Sequence, residues 1–367
     1  MKARLGDVCT VVSGSTPKST VPEYWDGDIK WITPAELSND TYIINDSARH
    51  ITALGVAKTG LKSFPAGTVI LSSRAPIGKT AIAGCEMFCN QGFKNLICSE
   101  KIDSKYLYYF LSGKTDYLNS LGRGATFKEI SKAIVENIEI PLPEVEEQKR
   151  IAARFERLLR LIQLQKAELE ELDKLVKSRF IELFGDPITD VSKWSASTIG
   201  EQFNVSSGGT PATGEKAYWE NGTIPWIGSN MCQDTMLSEN DGKFITEEGY
   251  AHSSAKWFHK GTVLVALVGA TIGKTALLRF DTTTNQNIAA IDVTQNAAFS
   301  SEFVFYHMQM LYSKFMEIGS GKFKMANQGF IRQLPLICPP IELQEQFAAF
   351  VEQTDKSKLC GTMEVAA

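Results

Sequence analysis

The pentapeptide Ile-Gly-Lys-Thr-Ala occurs twice in this chain, at residues 77–81 and 272–276. A Gly-Lys-Thr triplet ends the phosphate-binding P-loop, whose backbone N–H groups cradle the phosphates of a nucleotide. A P-loop also has a glycine five positions before that of the triplet, where this chain has Ser73 and Val268. The residues after each pentapeptide are typical of a strand rather than of the helix that a P-loop needs. Both copies therefore predict a β-hairpin with a glycine in its turn, and they argue against nucleotide binding.

Other catalytic signatures are also missing from the sequence. It contains no Gly-x-Ser-x-Gly, no His-Glu-x-x-His and no glycine-rich loop for S-adenosylmethionine. The four histidines lack metal-ligand spacing, and Cys85, Cys89 and Cys98 have no second pair that would complete a zinc site. The seven cysteines are scattered, which is typical of reduced thiols in a cytoplasmic protein. We expect a non-catalytic chain with no metal and no cofactor.

The composition is typical of a globular protein. Of the 367 residues, 43% are hydrophobic and 22% are charged, which allows a full core. The longest apolar run, residues 262–270, is far shorter than the about 20 residues of a membrane-spanning helix, so we expect no membrane association. The net charge of −4 gives no overall basic character, so a surface that binds nucleic acid must be built locally.

A long internal repeat organises the chain. Residues 5–32 align with residues 199–227 through Ser-Gly-x-Thr-Pro, Tyr-Trp and Trp-Ile, at an offset of about 195 residues. Gly-Thr-Val, the pentapeptide and an Asn-Gln pair then follow in the same order in both copies. The period is too long for a solenoid of short repeats, so each copy is predicted to form a domain.

The segment between the two copies predicts a long coiled-coil helix. Residues 147–184 contain no Pro or Gly, and apolar side chains recur at alternating steps of four and three. Gln165 and Arg179 occupy the two polar positions of this seam, and Gly185 and Pro187 end the helix. A less specific alternative is an amphipathic helix that packs on one domain. The apolar seam consists of Ile151, Phe155, Leu158, Ile162, Leu169, Leu172, Val176 and Leu183.

The second copy begins the same helix. Leu343, Phe347, Phe350 and Thr354 repeat the four-three spacing, and the pattern fades after Lys358. The sequence therefore predicts five segments. They are a domain at 1–143, a helical spacer at 144–187, a second domain at 188–340, a short distal helix at 341–358 and an irregular tail at 359–367.

Polar and basic residues of the repeated motifs are the candidates for ligand binding. Hydroxyls, backbone N–H groups, Lys and Arg position phosphates, whereas Asn, Gln and Arg can form paired hydrogen bonds with base edges. The candidates in the first copy are Ser13, Ser15, Thr16, Lys18, Arg74, Lys79, Asn90, Gln91, Lys94, Arg123 and Lys128. Those in the second copy are Ser207, Thr210, Lys274, Asn285, Gln286, Lys322 and Lys324.

Several of these residues also have a structural interpretation. Arg74, Lys79 and Lys274 are either solvated or in contact with phosphates, and the Asn-Gln pairs could equally form hydrogen bonds within the fold. Packing in the core or against loops is more typical than base contact for the four tryptophans of the repeat, which are Trp25, Trp31, Trp219 and Trp226.

Taken together, these motifs resemble the specificity subunit of type I restriction–modification complexes. The resemblance rests on the repeated block from Ser-Gly-x-Thr-Pro to Trp-Ile, on the hairpins, and on Ile-Pro-Leu-Pro before the long helix, and it covers residues 1–358. It implies target-recognition domains of the α/β (α+β) class in tandem duplication. A long coiled-coil helix would join them, with a short second helix at the C-terminus. Each domain would read one half of a split site in double-stranded DNA through the major groove.

The resemblance assigns the chemistry to partner chains. Methyl transfer would belong to two methyltransferase subunits that dock on the helices, and ATP-driven cleavage to restriction and translocase subunits. The segments WITPAELSND and WIGSNMCQD differ between the copies, so the two half-sites should differ as well. The fading distal helix suggests that the chain is truncated or shifted at its end, and that an open seam lets it self-associate. The rival hypotheses are an enzyme with an unrecognised site and a protein-interaction scaffold without DNA specificity.

Overall fold

The computed structural model describes residues 2–38, 41–74, 76–124, 128–190, 193–318 and 325–366, with side chains up to Lys358. The chain forms two compact units, Met1–Ile162 and Gln163–Ala367, here called unit 1 and unit 2. Each unit contains one copy of the sequence repeat, and the boundary falls within a long helix. No helix in the described ranges combines the length and the apolar character that crossing a bilayer requires.

Unit 1 consists of small β-sheets covered by short helices. Its strands are β1 (Lys2–Arg4), β2 (Cys9–Val12), β3 (Trp25–Ile32), β4 (Ile43–Ile44), β5 (Arg49–Ile51), β6 (Val69–Leu71), β7 (Thr80–Ala83), β8 (Phe88–Cys89), β9 (Asn95–Cys98) and β10 (Glu139–Pro141). Its helices are α1 (Leu5–Val8), α2 (Ala53–Thr59), α3 (Ser104–Ser112), α4 (Thr115–Leu121), α5 (Lys132–Glu136) and the first part of α6 (Val145–Phe184). A five-stranded sheet has the order β2-β9-β6-β7-β4, a three-stranded sheet the order β5-β3-β8, and β1 pairs with β10.

Unit 2 repeats this architecture after the end of α6. Its strands are β11 (Ser195–Thr198), β12 (Asn204–Ser206), β13 (Ile224–Ile227), β14 (Thr235–Leu237), β15 (Phe244–Ile245), β16 (Trp257–Phe258), β17 (Val263–Ala266), β18 (Thr275–Leu278), β19 (Thr282–Thr284), β20 (Ile288–Asp292) and β21 (Pro335–Cys338). Its helices are α7 (Ile199–Gln202), α8 (Glu247–Ala251), α9 (Ser301–Met310), α10 (Tyr312–Met316), α11 (Gln328–Gln333) and α12 (Ile341–Ala366). The five-stranded order β12-β20-β17-β18-β14 matches that of unit 1 strand for strand, which confirms the predicted tandem duplication.

The core of each unit lies around its two central strands. Every residue of β6, β7, β17 and β18 is buried, as expected for apolar strands that are covered on both faces. The covering helices begin at side-chain caps. The Asp103 side chain accepts a hydrogen bond from Tyr106 N in α3, and the Ser300 side chain accepts one from Phe303 N in α9. These caps start α3 and α9 where their apolar faces meet the sheets.

Both pentapeptides form the predicted hairpins. β6 is antiparallel to β7, and β17 is antiparallel to β18. The turn glycines Gly78 and Gly273 have φ values of 96° and 76°, in the left-handed region that favours glycine. A strand follows each turn, so the pentapeptides lack the strand–loop–helix geometry of a P-loop.

The long helix is continuous over 40 residues, Val145–Phe184, close to the predicted 147–184. In unit 2 its C-terminal part packs against α12. The ring of Phe347 lies 5.5 Å from that of Phe180 and 5.6 Å from that of Phe184, and Lys358 Nζ is 2.7 Å from Asp173 Oδ1. Later residues of α12 contact earlier residues of α6, so the two helices are antiparallel. The predicted helix–helix pairing is confirmed for this part.

The same part of α6 also packs on the domain, because the rings of Phe180 and Phe303 stack at 5.6 Å. The alternative of a helix packed on one domain therefore holds alongside the pairing. Further towards the N-terminus, Phe155 and Leu158 are about half exposed, and the Phe155 ring stacks on that of Tyr109 at 5.2 Å.

The prediction of an irregular tail at 359–367 is wrong. Helix α12 continues from Ile341 to Ala366, well beyond Lys358. The segment contains Gly361 but no proline, and a glycine inside a helix costs only about 1 kcal/mol relative to alanine. A single glycine therefore does not end a helix that has already formed.

We predict that Phe180→Ala destabilises unit 2 by about 3–5 kcal/mol, because it removes a fully buried ring between α9 and α12. Leu175→Ala on the same helix is the matched control, with a cost of no more than about 1 kcal/mol because Leu175 is half exposed. Urea unfolding followed by circular dichroism measures both. Equal losses for the two variants would contradict the packing described here.

Candidate nucleic-acid interface

The Ser-Gly-x-Thr-Pro motif of unit 1 is a loop held against the end of a strand. Residues 13–17 follow β2, and Ser15 N donates a hydrogen bond of 3.0 Å to the carbonyl oxygen of Cys89 in β8. A Cβ atom on Gly14 would lie 1.8 Å from that oxygen, so only glycine permits this approach. Trp31 Nε1 donates to Ser15 O at 3.0 Å, and Trp25 Nε1 donates to Lys18 O at 3.2 Å.

Unit 2 holds its own loop in the same way. A Cβ atom on Gly208 would lie 2.0 Å from the carbonyl oxygen of Thr284 at the end of β19. Trp226 Nε1 donates to Gly209 O at 3.0 Å, and Trp219 Nε1 donates to Ala212 O at 3.2 Å. In both units the tryptophans support the loop, which confirms their interpretation as packing residues.

The Asn-Gln pair of each unit lies beside the loop. Thr16 Oγ1 donates to Gln91 Oε1 at 2.6 Å, and Thr210 Oγ1 donates to Gln286 Oε1 at 2.5 Å. The sequence motifs thus become one polar surface, although 75 residues separate Thr16 from Gln91. We call this feature the loop–amide surface, which comprises residues 13–17 and 90–91 in unit 1 and residues 207–211 and 285–286 in unit 2.

The asparagines and glutamines have different roles on this surface. Asn90 Oδ1 accepts from Gly92 N at 2.8 Å, and Asn285 Oδ1 accepts from Asn287 N at 3.0 Å, so each asparagine closes a turn. Gln91 and Gln286 are exposed. An amide oxygen has two lone pairs and the nitrogen two protons, so each glutamine retains hydrogen-bonding capacity after the bond from threonine.

An ion pair between a buried lysine and a half-exposed glutamate lies next to the Asn-Gln turn of unit 1. Lys94 is 7% exposed, and its Nζ is 3.0 Å from Glu129 Oε1 and 3.3 Å from Ser73 Oγ. Ser73 N in turn donates to Gly92 O at 2.8 Å, next to the Asn-Gln turn. Lys94 is therefore an internal support for the turn rather than an exposed cation.

Other basic candidates of unit 1 cluster around the same glutamate. The backbones of Arg74 and Arg123 both bridge to Glu129, and Arg123 and Lys128 are exposed. The structure therefore brings Arg74 and the later segment with Arg123 and Lys128 to the same glutamate, and Arg74 directly follows Ser73, which contacts the Asn-Gln turn. Glu129, which positions them, was not among the sequence candidates because a single acidic residue in a loop carries no pattern.

Unit 2 has the same backbone arrangement with apolar side chains. Leu267 N donates to Asn287 O at 2.8 Å, and the backbones of Val268 and Met325 form a bridge. Met325 is 68% exposed. The position that corresponds to Lys94 is Ala289, which is buried. The two units therefore share one frame but place different side chains beside it.

The lysines of the two pentapeptides contact the chain itself. Lys79 Nζ donates a hydrogen bond to Leu37 O. Lys274 Nζ lies 2.5 Å from Asp234 Oδ2 and 5.2 Å from the ring centre of Tyr312. Both lysines thus hold the segment that follows the Trp-Ile strand, a role that neither sequence alternative included.

The remaining candidates are more scattered. Ser13 and Lys18 are exposed, and Ser207 Oγ accepts a hydrogen bond of 3.0 Å from Gln328 Nε2. Gln328 extends the polar surface of unit 2 and was missed, because no motif marks the start of its short helix. Lys322 and Lys324 lie outside the described residues.

One cysteine in a hydrophobic cluster of each unit is a buried thiol. Burial raises the pKa of Cys89 to about 12 and that of Cys232 to about 12, because a thiolate would be poorly solvated there. Both side chains are therefore protonated at neutral pH, and their role is packing.

Comparison with known proteins agrees with this architecture. Residues 1–174 and 191–360 both match the family model described as type I restriction modification DNA specificity domain. The chain is 33% identical over 310 residues to the type I restriction enzyme MjaIX specificity subunit of Methanocaldococcus jannaschii, covering 79% of this chain and 71% of that protein. It is 27% identical over 199 residues to the EcoR124I/EcoR124II specificity subunit of Escherichia coli, covering 52% and 48%.

Solved structures show the same fold. A chain from a study of complex assembly and conformational transition in a type I R-M system aligns with a TM-score of 0.64 at 19% identity, covering 100% of this chain and 93% of that one. The S subunit of the type I restriction–modification system from M. genitalium aligns with a TM-score of 0.57 at 17% identity, covering 100% and 92%. The two matched segments together include nearly the whole sequence, and they coincide with the repeat that builds the two loop–amide surfaces. The chain therefore belongs to the type I restriction–modification DNA specificity domain family.

Proposed function

We propose that the loop–amide surface of each unit contacts one half of a two-part DNA site. The chain supplies sequence recognition to a complex whose other subunits carry out methyl transfer and cleavage. One observation carries this proposal. The same hydrogen-bonded arrangement of loop and glutamine occurs in both units, whereas the side chains next to it differ between the units. Two readers of different DNA sequences need such a fixed frame with variable neighbours.

The chemistry of the loop–amide surface suits a base edge and the adjoining phosphate. A glutamine amide can accept from N6 and donate to N7 of adenine in the major groove. The hydrogen bonds from Thr16 and Thr210 orient the amides of Gln91 and Gln286 before DNA arrives, which reduces the entropy lost on binding. Loop hydroxyls such as Ser13 suit phosphate contact.

The differing neighbours favour an asymmetric site. Unit 1 offers the guanidinium groups of Arg74 and Arg123, and arginine pairs with O6 and N7 of guanine. Unit 2 offers the apolar Val268 and Met325, and the thymine methyl group is the apolar feature of the major groove. The two halves of the DNA site are therefore expected to differ in sequence.

Three lysines are left out of the proposed contacts. Lys94 is buried in an ion pair, and Lys79 and Lys274 are engaged with the segments after the Trp-Ile strands. We assign them to supporting the surfaces rather than to binding phosphate.

Partner docking is proposed for α6. Several large apolar side chains are exposed along this one helix, which is unusual for a solvated surface. They are Phe155, Leu158, Leu159, Leu161, Leu164, Leu175 and Ile181. Methyltransferase subunits, two per chain, are the proposed occupants, and restriction and translocase subunits join the same complex. Self-association through the same side chains is the competing outcome.

The first test of the DNA proposal is the salt dependence of duplex binding by the full chain with its methyltransferase partner. Each lost phosphate contact should lower the slope of log K against log salt by about 0.9. We expect Lys128→Ala to lower it, and Lys2→Ala, an exposed lysine paired with Glu139, to leave it unchanged. Binding that is absent, or independent of salt, would favour the protein-interaction scaffold instead.

The second prediction concerns the glycine of the unit 2 loop. Gly208→Ala should weaken DNA binding at least about tenfold, or about 1.4 kcal/mol, because its Cβ would displace the loop from Thr284 O. Gly214→Ala is the matched control, since no atom lies within 4 Å of the added Cβ. Thr210→Val is a milder variant that removes only the bond to Gln286. Unchanged affinity in both Gly208→Ala and Thr210→Val would exclude this loop from the interface.

The third prediction separates docking from DNA recognition. Leu161→Lys combined with Leu164→Lys should abolish copurification with the methyltransferase subunit, while the fold measured by circular dichroism is retained because both residues are exposed. A Glu168→Lys variant makes the same change of two positive charges at an exposed position of the same helix and controls for charge. Retained copurification would place the docking surface elsewhere, and loss of a dimer in size-exclusion chromatography would indicate self-association.

A further inference from the structure

Two cysteines face each other across neighbouring strands of unit 1. β2 and β9 are antiparallel, and Cys9 is the direct partner of Cys98. Ser99 N donates to Val8 O at 3.0 Å, so residues 8 and 99 form a hydrogen-bonded pair. Hydrogen-bonded and non-hydrogen-bonded pairs alternate along an antiparallel ladder, so Cys9 and Cys98 form a non-hydrogen-bonded pair.

This position suits a covalent bond between the two sulfur atoms. The Cα atoms of a non-hydrogen-bonded pair lie about 4.5 Å apart, and disulfides join Cα atoms that are about 4.4–6.8 Å apart. A hydrogen bond between the two thiols, together with burial, raises the pKa of Cys9 above its ordinary value. The register of the two strands therefore places the two side chains next to each other, within the range that a disulfide spans.

The two thiols differ in accessibility. Cys9 is buried in the core of unit 1, whereas Cys98 is half buried at its edge. A reagent from solution therefore reaches Cys98 first, and Cys9 is placed to react with whatever forms there.

We propose that Cys9 and Cys98 form an oxidisable dithiol, a modification site that a low-molecular-weight disulfide such as oxidised glutathione converts into an intramolecular crosslink. The Cys98 thiolate attacks one sulfur of the oxidised glutathione, forms a mixed disulfide and releases one glutathione thiolate. Cys9 sulfur then attacks Cys98 Sγ and releases the second glutathione. The two cysteine protons end on the two glutathione thiols, so the protein pair is oxidised and one glutathione disulfide is reduced.

The crosslink would act on the strands that carry the loop–amide surface of unit 1. β2 leads directly into residues 13–17, and β9 follows residues 90–91, with Val12 opposite Asn95 at the near end of the ladder. In unit 2 the corresponding residues are Phe203 and Val293, which contain no sulfur. Oxidation would therefore affect one repeat only. In a reducing compartment the two cysteines remain reduced, so the disulfide would form only under oxidising conditions.

The test treats the full folded chain with oxidised glutathione, followed by thiol titration in denaturant and peptide mass mapping. We expect five of the seven thiols to remain, with the Cys9 and Cys98 peptides linked and two hydrogen atoms lost. Cys9→Ser should instead accumulate a glutathione adduct on Cys98, and Cys98→Ser should leave Cys9 unmodified. Cys89→Ser, at a buried thiol of the same unit, is the control and should still form the crosslink.

Three outcomes would overturn the proposal. They are an unchanged thiol count, a linkage between other cysteines, and a glutathione adduct that never resolves in the unsubstituted chain. None of these readouts depends on DNA binding, so the result is independent of the proposed function.

Discussion

The close approach of a polar loop to the end of a strand is the constraint on which each loop–amide surface depends. At Gly14 and at Gly208 a side chain would overlap a carbonyl oxygen of the neighbouring strand, so the loop can lie there only without a Cβ. That approach lets indole N–H groups hold the loop carbonyls, and it brings a threonine hydroxyl to a glutamine amide. The same set of contacts in two copies shows that the duplication preserved an arrangement of backbone and polar atoms.

Beside this constant frame, the two units differ where a ligand could distinguish them. Arg74 and Glu129 in unit 1 correspond to Val268 and Met325 in unit 2, on backbones that pair in the same way. The chain belongs to the DNA specificity domain family, and recognition of different DNA sequences requires different side chains on a common backbone. The difference between the two units is therefore expected. The pentapeptide lysines belong to the support, since they hold the segments after the Trp-Ile strands.

Features set by local pattern could be predicted from the sequence. The period of the repeat, the glycine turns and the heptad seam from Ile162 to Leu183 depend on spacing along the chain, which the sequence displays directly. The partners of Lys79, Lys94 and Lys274 could not be predicted, because contacts with residues 42, 35 and 40 positions away depend on tertiary structure. The helical tail could not be predicted from its own composition, because glycine and small residues lower helix propensity while the helix that precedes them continues through them.

If each loop–amide surface contacts one half of the DNA site, a change in one surface should alter only that half. The most direct measurement is sequencing of methylated DNA from cells that carry the chain and its methyltransferase, compared with cells that carry Gln91→Leu or Gln286→Leu. We expect one asymmetric two-part motif, with each substitution changing or relaxing one part and leaving the other intact. A substitution that altered both parts together, or two substitutions that altered neither part, would contradict it.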